Sequence, residues 1–378
     1  MARRAYLASA FSSLLIILFA LAGCGSGVHV CPAASSSVCG CGAGANACAL
    51  PPPHIYANGI DGQIYVFTVD RGTGTIGASS SVAGPANSLG IAALNDQYLY
   101  VSDFGLGGPA AIDTWSINPS TGGLTPAQPF ALGPLSLAAG LAIDSNNQML
   151  YVADAGKIDA LQGNSATGTL TPISGSPFPA GANLFLTIDP TSQFLFASES
   201  DPPGSIAAFT IDAFSGTLTP VSGSPFAAVP NTTVQPGEIA VDSSGKFVYV
   251  TLVQSSQIAG LSIAKPSGAL TPVPGSPFNT GSTPLALAAV GEHLYVSNML
   301  DGTISGYAID SSGGLTPVPG SPFPIRATAM TSDMFQSFLF VSGTGGMSTF
   351  KIDPTTGSLT QIGSPVAFAG ATGLTYVQ

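Results

Sequence analysis

Thr171-Pro-Ile-Ser-Gly-Ser-Pro-Phe178 is the stretch of sequence that decides the fold, because the chain repeats it. Closely similar octapeptides begin at Thr219, Thr271 and Thr316, at intervals of 45 to 52 residues. A weaker copy occupies Leu124–Phe130, and a Gly-Ser-Pro fragment occupies residues 363–365. A repeat of this length indicates an array of identical supersecondary units.

A second signal, a short run of the type Tyr-Val-Ser-Asp, repeats in step with the octapeptide. Its seven copies are Ile55–Asn58, Tyr100–Asp103, Tyr151–Asp154, Phe196–Glu199, Tyr249–Leu252, Tyr295–Asn298 and Phe340–Gly343. Each copy has alternating apolar residues and ends in a turn-forming residue, which is typical of a β-strand. The chain therefore contains seven units.

Each unit contains four candidate strands. Leu141–Asp144 is an example of the first, the Tyr-Val-Ser run is the second, Ile304–Asp310 exemplifies the third, and Gly-Thr-Leu-Thr-Pro forms the fourth. Four strands in about 45 residues, repeated seven times, predict an all-β, seven-bladed β-propeller with four-stranded blades.

The prolines of the octapeptide fit the outer edge of each blade. Proline lacks the N–H that a sheet ladder needs, so an outer edge strand tolerates it best. The residues concerned are Pro172, Pro220, Pro272 and Pro317. We expect the phenylalanine that ends each octapeptide to pack between neighbouring blades.

The two ends of the repeat array predict how the ring closes. The first unit begins with its second strand at Ile55 and has no inner strand of its own. The chain ends in Gly373–Gln378, which matches the other inner strands and has no blade after it. We therefore predict that the C-terminal strand completes blade one, in a propeller domain spanning residues 54–378.

Residues 1–23 have the features of a signal peptide. Arg3 and Arg4 precede a short apolar run that ends in Leu21-Ala22-Gly23-Cys24, which resembles the bacterial lipobox. The apolar run is shorter than the ~20 residues that a membrane-spanning helix needs. The resemblance implies cleavage before Cys24 and lipidation of its thiol. We expect a cell-envelope protein, periplasmic or on the outer-membrane surface, held to the membrane by an N-terminal lipid anchor.

Residues 24–53 read as a Gly-, Ala-, Ser- and Pro-rich spacer between anchor and propeller. This segment contains Cys31, Cys39, Cys41 and Cys48, and the propeller domain contains no cysteine. In an exported chain we expect two disulfides of undetermined connectivity. A metal site with four cysteine ligands is the alternative, although the segment lacks the paired C-x2-C spacing of such sites.

The charge balance excludes one class of partner. Without Arg3 and Arg4 the chain has six cationic residues against 19 acidic ones, and it has no basic stripe. Such a chain cannot neutralise a series of phosphates, so we expect no nucleic acid among its partners. We expect a monomer.

The segments Tyr295–Asp310 and Ser215–Thr219 resemble the lactonase-type β-propellers. That group includes 6-phosphogluconolactonase-like and muconate-cycloisomerase-like proteins and the related YVTN-repeat surface proteins. The resemblance covers the whole propeller domain. It implies a site at the mouth of the central channel, built from His, Arg and Glu near the starts of the inner strands.

Seven residues, one in each blade, lie just before an inner strand, and one of the seven is charged. Counting back from the Tyr-Val-Ser strands, this position holds Gly90, Gly140, Phe185, Glu238, Pro284, Ala329 and Gly373. Arg326, three residues ahead of Ala329, is the one cation near this rim by sequence. Glu238 and Arg326 are therefore the catalytic candidates, although the mouth departs from the His- and Arg-bearing pattern of the family.

The position after each second strand is the candidate rim for substrate or a cation. It holds Asn58, Asp103, Asp154, Glu199, Leu252, Asn298 and Gly343. The three carboxylates follow one another on adjacent blades, so they could form an acidic arc that holds Ca2+ or Mg2+ or supplies a general base. Alternatively, they open turns by hydrogen-bonding to the backbone. The latter role is expected for Asp144, Asp189, Asp242, Asp212, Asp310 and Asp353.

Two functions remain open. The first is a lactone hydrolase acting on a carboxylic ester bond, in which Glu238 activates water and Arg326 stabilises the oxyanion. It requires no cofactor, although a divalent cation could join the acidic arc. The second is a non-catalytic propeller that binds an envelope glycan or protein through the face bearing the channel mouth. No histidine is placed by the sequence to activate a serine or cysteine nucleophile; the three histidines are His29, His54 and His293.

Overall fold

The computed structural model describes residues 51–105, 109–133, 136–230 and 232–378. The predicted signal peptide, the lipidation site Cys24, the four spacer cysteines and His29 lie outside these residues. Pro51–Gln378 form one compact unit. No described segment forms a helix with the length and apolar character needed to span a membrane.

The described chain consists of 32 strands. The inner strands are β4 (Ile91–Leu94), β9 (Leu141–Asp144), β14 (Asn183–Ile188), β19 (Pro236–Val241), β24 (Pro284–Val290), β28 (Ala329–Ser332) and β32 (Ala371–Val377). The second strands are β1 (His54–Gly59), β5 (Tyr98–Asp103), β10 (Met149–Asp154), β15 (Phe194–Glu199), β20 (Phe247–Leu252), β25 (His293–Asn298) and β29 (Phe338–Gly343).

The remaining strands form the outer half of each blade. The third strands are β2 (Gln63–Val69), β6 (Ala111–Ile117), β11 (Lys157–Gly163), β16 (Ser205–Ile211), β21 (Gln257–Ile263), β26 (Thr303–Ile309) and β30 (Gly346–Ile352). The outer strands are β3 (Ile76–Ala83), β7 (Leu124–Pro126), β12 (Leu170–Pro172), β17 (Leu218–Pro220), β22 (Leu270–Pro272), β27 (Leu315–Pro317) and β31 (Leu359–Val366). Short second pieces of the outer edge are β8 (Phe130–Ala131), β13 (Phe178–Pro179), β18 (Phe226–Ala227) and β23 (Phe278–Asn279).

The strands pair into seven antiparallel sheets, which confirms the seven-bladed propeller. Six sheets are built from consecutive strands, in the order inner, second, third and outer. In the seventh, β32 pairs with β1, and Val377 lies opposite His54. The C-terminal strand therefore completes blade one, as predicted.

A tyrosine of the second strand joins each of five blades to the blade that follows. The hydroxyl of Tyr249, for example, donates to the carbonyl oxygen of Gly313, 2.9 Å away in the next blade. The equivalent bonds start from Tyr56, Tyr100, Tyr151 and Tyr295. These tyrosines are fully buried, so each bond satisfies a carbonyl that water cannot reach. Blades four and seven have Phe196 and Phe340 at this position and lack the bond.

The octapeptide forms the outer edge and the crossing to the next blade. Pro172, Pro220, Pro272 and Pro317 all pair with third strands, as predicted. In blade three the next residues leave the sheet, and the Ser176 hydroxyl accepts the N–H of Ala160. The chain then pairs again at Phe178, opposite Ile158. Phe178 also packs against the core cluster shared by blades three and four, which confirms the predicted inter-blade contact.

Blade one departs from the predicted alignment by one residue. Tyr56, and not Ile55, occupies the position of Tyr100, since both tyrosines bond to the next blade and both strands have the same register with their third strands. Asn58 therefore occupies the position of Ser102, inside the blade. Gly59 takes the position at the rim. The sequence HIYANG misled the alignment because both Ile55 and Tyr56 are apolar and both are buried.

Candidate functional site at the channel mouth

The starts of the inner strands surround a cavity of about 190 Å³ at one end of the central channel. We call it the channel cavity. The predicted positions Gly90, Gly140, Phe185, Glu238, Ala329 and Gly373 all line it. Most of the remaining lining is aliphatic, for example Leu141, Leu186 and Met330. Six blades therefore place the predicted residue at the channel mouth.

Blade six is the exception. Leu287 lies opposite Val296 as Ile239 lies opposite Val250, so Ala286 is the equivalent of Glu238. Pro284, the predicted residue, pairs with Asn298 at the rim. The prediction was wrong because β24 and β25 are joined by a turn of only two residues, Gly291 and Glu292, whereas blade five uses five residues, 242–246. Counting a fixed number of residues back from the second strand passes the channel position in a blade with a shorter turn.

Glu238 is the one acidic or basic residue among the described residues that line the channel cavity. It lies where the register of β19 shifts, between Pro236 and Ile239, which turns its side chain into the channel. One carboxylate oxygen, Oε2, accepts the backbone N–H of Leu287 at 3.3 Å. Glu238 is half-buried, and part of its side chain reaches the cavity.

Burial, which removes water from the carboxyl, raises the pKa of Glu238 from 4.5 to about 8, against the smaller opposing effect of the Leu287 N–H. No lysine or arginine of the described chain forms an ion pair with Glu238. The neutral carboxyl is therefore favoured at pH 7. A carboxyl with a pKa this close to neutrality can both release and accept a proton, as an acid or base catalyst must.

Arg326, the second catalytic candidate, is exposed and is not among the residues that line the channel cavity. Its backbone carbonyl approaches the Cα of Gly343 so closely that a Cβ there would lie 2.0 Å from the oxygen. The structure thus shows backbone packing at Arg326. It does not bring this residue together with Glu238 in one cavity.

The rim carboxylates bind the backbone of the loops that lead into the inner strands. Glu199 is buried, and its Oε1 accepts the N–H of Gly181 at 2.6 Å. Asp154 is also buried and accepts the N–H of Leu137, and Lys157 lies 2.7 Å from it. Burial alone would raise the pKa of Asp154, but hydrogen bonds from Lys157, Ser136 and Leu137 hold it below its usual value.

The other rim candidates are likewise engaged in local structure. Asn298 is buried, and its Oδ1 accepts the N–H of Gly281 while its Nδ2 donates to Ser305. Asp103 accepts the N–H of Gly105 at 3.0 Å. Asn58 donates to the Ser88 hydroxyl, and its buried Oδ1 has no hydrogen-bond partner. Among the described residues, no three His, Cys, Asp or Glu side chains cluster as metal ligands. Asp103 and Asp154 accept N–H groups of their own turns, as the turn-forming interpretation expects, whereas Glu199 accepts one from the loop before its inner strand.

The aspartates expected to form turns do so, at the opposite face. Asp242 Oδ1 accepts the N–H groups of Lys246 and Phe247, and Asp189 makes the equivalent bonds. Asp212, Asp310 and Asp353 accept backbone N–H groups in the turns between third and outer strands, and these bonds hold their pKa values below the usual range. His54 and His293 begin second strands at that face and are buried.

The sequence did not reveal a second cavity, of about 320 Å³, beside the channel cavity. We call it the side pocket, and Ile60, Asn87, Ser88, Leu89, Phe104 and Thr372 are among its lining residues. Leu89 and Thr372 line both cavities. Ile60 is 63% exposed and Leu89 is 41% exposed. Exposed apolar residues in loops carry no periodic signal, and only the folded ring shows that they meet.

Comparisons with known proteins confirm the resemblance to lactonase-type propellers. A family model described as "Lactonase, 7-bladed beta-propeller" matches residues 223–330, which include Glu238 and Arg326. No curated protein matches the chain.

Several solved structures share the fold. A proposed 6-phosphogluconolactonase from Bacteroides fragilis is 19% identical, with a TM-score of 0.71 over 86% of this chain and 98% of that one. A similar protein from Bacteroides uniformis is 18% identical, with a TM-score of 0.70 over 86% and 99%. The Pseudomonas aeruginosa periplasmic gluconolactonase PpgL is 17% identical, with a TM-score of 0.64 over 86% and 99%. At these identities the similarity establishes the fold alone.

Proposed function

We propose that this protein hydrolyses a small lactone at the mouth of its propeller channel, with Glu238 as the general base. The observation that carries the proposal is the single carboxyl in the channel cavity, held among mainly aliphatic side chains, with a pKa of about 8. The match to a lactonase family model and the gluconolactonase-type structural neighbours support the same reaction class.

In this reaction Glu238 removes a proton from a water molecule as that water adds to the lactone carbonyl carbon. The ring C–O bond then breaks, and the leaving alkoxide takes a proton, which the carboxyl now carries. General base catalysis of this kind contributes about 10²- to 10⁴-fold. Because Arg326 does not line the cavity, we assign it no part in the reaction.

The test is an assay of the full chain on a panel of aldonolactones, with and without Ca2+ or Mg2+. We expect kcat/KM to rise with pH around a midpoint of about 8, following ionisation of Glu238. Glu238→Gln should lower kcat/KM at least 100-fold, whereas Glu292→Gln, an exposed residue of the opposite face, should not. Turnover that Glu238→Gln leaves unchanged would remove Glu238 from the mechanism.

A second candidate function is binding without catalysis, and the exposed apolar residues of the same face favour it. Besides Ile60 and Leu89, Leu137 is 41% exposed and Leu300 is 75% exposed, all in loops at this end of the ring. Such residues are common at interaction surfaces. No hydrolysis of any lactone, together with saturable binding of an envelope glycan or protein, would favour this function.

The cellular location is proposed from residues 1–24. Their basic start, short apolar run and Leu-Ala-Gly-Cys end support a lipid anchor at Cys24 and a place in the cell envelope. Metabolic labelling with a radioactive fatty acid tests this, since Cys24→Ala should abolish the label. Label that persists in the variant would contradict the proposal.

A further inference from the structure

We infer that the channel cavity and the side pocket form one binding site for an uncharged lactone that carries an alkyl or aryl substituent. The lactone ring lies in the channel cavity beside Glu238, and the substituent lies in the side pocket. This inference rests on the proposed function for the reaction, but the binding site it describes can be tested without turnover.

The sizes of the two cavities support a shared site. Small-molecule pockets usually measure about 300–1,000 Å³. The channel cavity, at about 190 Å³, is below that range, and the side pocket measures about 320 Å³. Leu89 and Thr372 line both, so the two spaces adjoin at a common wall, and together they fall inside the range. Both spaces open to solvent and Leu89 is 41% exposed, so a ligand that occupies both passes over this wall.

The common wall is held in place by hydrogen bonds. The Thr372 hydroxyl donates to the backbone carbonyl of Ser88 at 2.8 Å, and Ser88 in turn accepts a bond from the side chain of Asn58. Asn58 is 2% exposed, so the base of the wall is part of the core. The two spaces are therefore features of the folded ring and do not depend on a movement of the chain.

The chemistry of the lining selects the substrate. No lysine or arginine lines either cavity among the described residues, so nothing there balances the charge of a phosphate or a carboxylate. Glu238, the one acidic residue present, repels anions once it ionises. The side pocket instead presents Ile60, Leu89 and Phe104, which gain most from burying hydrocarbon. A neutral lactone with an apolar substituent fits both parts.

The experiment measures binding of two non-hydrolysable lactams to the full chain by calorimetry. Pyrrolidin-2-one has the ring alone, and 5-hexylpyrrolidin-2-one adds a hydrocarbon chain. Each buried methylene contributes about fourfold in affinity, so burial of about half of the six carbons should make the hexyl compound bind roughly 60-fold more tightly. Equal affinity for the two lactams would overturn the inference.

Matched variants locate the hydrocarbon chain. Ile60→Asp should lower affinity for the hexyl lactam at least tenfold and leave affinity for pyrrolidin-2-one unchanged. Leu300→Asp changes an equally exposed leucine that lines neither cavity and should change neither affinity. Thermal unfolding of both variants checks that they fold. Equal loss in both, or loss in neither, would contradict the placement.

Two further measurements separate this inference from the proposed function. An excess of 6-phosphogluconate should not displace the hexyl lactam, and displacement would overturn the choice of a neutral ligand. Hydrolysis of γ-decalactone should exceed that of γ-butyrolactone in kcat/KM, with Ile60→Asp removing the difference. If the lactam binds as expected and no lactone is hydrolysed, the binding site stands and the hydrolase proposal fails.

Discussion

The buried carboxyl of Glu238 makes the stability of the propeller depend on pH in a direction that can be tested. Its folded-state pKa of about 8 lies above the value of 4.5 expected for the unfolded chain. A group with a raised folded-state pKa stabilises the protein below its unfolded pKa, and this contribution is lost as pH rises through the folded pKa. Glu238 should therefore cost stability progressively between about pH 4.5 and pH 8.

The pKa values set the size of the effect. A rise from 4.5 to about 8 corresponds to at most about 5 kcal/mol, at 1.36 kcal/mol for each tenfold change. The side chain reaches the cavity, where water can solvate the ionised form, so we expect about 2–3 kcal/mol. Glu238→Gln removes the ionisation. It should come within about 1 kcal/mol of the wild type at pH 5 and exceed its unfolding free energy by the full amount at pH 9.

The measurement is urea unfolding at pH 5, 7 and 9, followed by fluorescence of the single tryptophan, Trp115, which is buried on β6. Glu292→Gln is the control, because Glu292 is exposed in a turn at the opposite face and should show no such pH-dependent difference. A difference between wild type and Glu238→Gln that stays constant from pH 5 to pH 9 would refute the assignment of a neutral carboxyl to the channel.

Three further predictions concern the ring itself. Tyr249→Phe leaves a buried carbonyl of the next blade without its donor and should lower the unfolding free energy by about 1–3 kcal/mol. The control is Tyr98→Phe, because the hydrogen bond of the Tyr98 hydroxyl is exposed. In the same urea titration it should change the unfolding free energy by less than about 0.5 kcal/mol. Gly216→Ala places a Cβ 2.7 Å from a buried methionine sulfur, at a residue with a φ of +70°. Gly363 has a similar φ of +63°, but a Cβ there would have no atom within 4 Å. The melting temperature of Gly216→Ala should therefore fall further than that of Gly363→Ala. A chain ending at Gly370 lacks β32, so β1 keeps β2 but loses its inner partner, and circular dichroism should show a broadened, less cooperative melt.

The sequence predicts the propeller fold well, because the blades share a pattern of strand, turn and outer-edge residues. Period-2 strands recur in each unit, and turn aspartates and outer-edge prolines recur in most, so each copy supports the assignment of the others. The prediction that β32 closes the ring follows from two facts: blade one has no inner strand of its own, and the last strand of the chain has no blade after it. These features are local or topological, so they need no knowledge of side-chain contacts.

The site is harder to predict because it depends on small offsets between blades. A turn of two residues in place of five moves the channel position of blade six from Pro284 to Ala286. A one-residue error in blade one moves Asn58 from the rim into the core. Arg326 lies three residues from a correctly predicted channel position, yet its side chain is exposed outside the cavity. A residue close in sequence to a channel position can therefore point its side chain either into the cavity or away from it.

The octapeptide and Glu238 show how a repeat protein separates structure from function. A residue that recurs in most blades, such as the octapeptide phenylalanine of blades two to six, is required by packing that these blades share. Glu238 occupies a position that the other blades fill with Gly, Ala or Phe, so no shared packing requires a carboxyl there. Its burial costs stability, and a well-packed neutral residue would avoid that cost. The single charged residue at this position, and not the repeat, is therefore where the proposed lactone hydrolysis is to be tested.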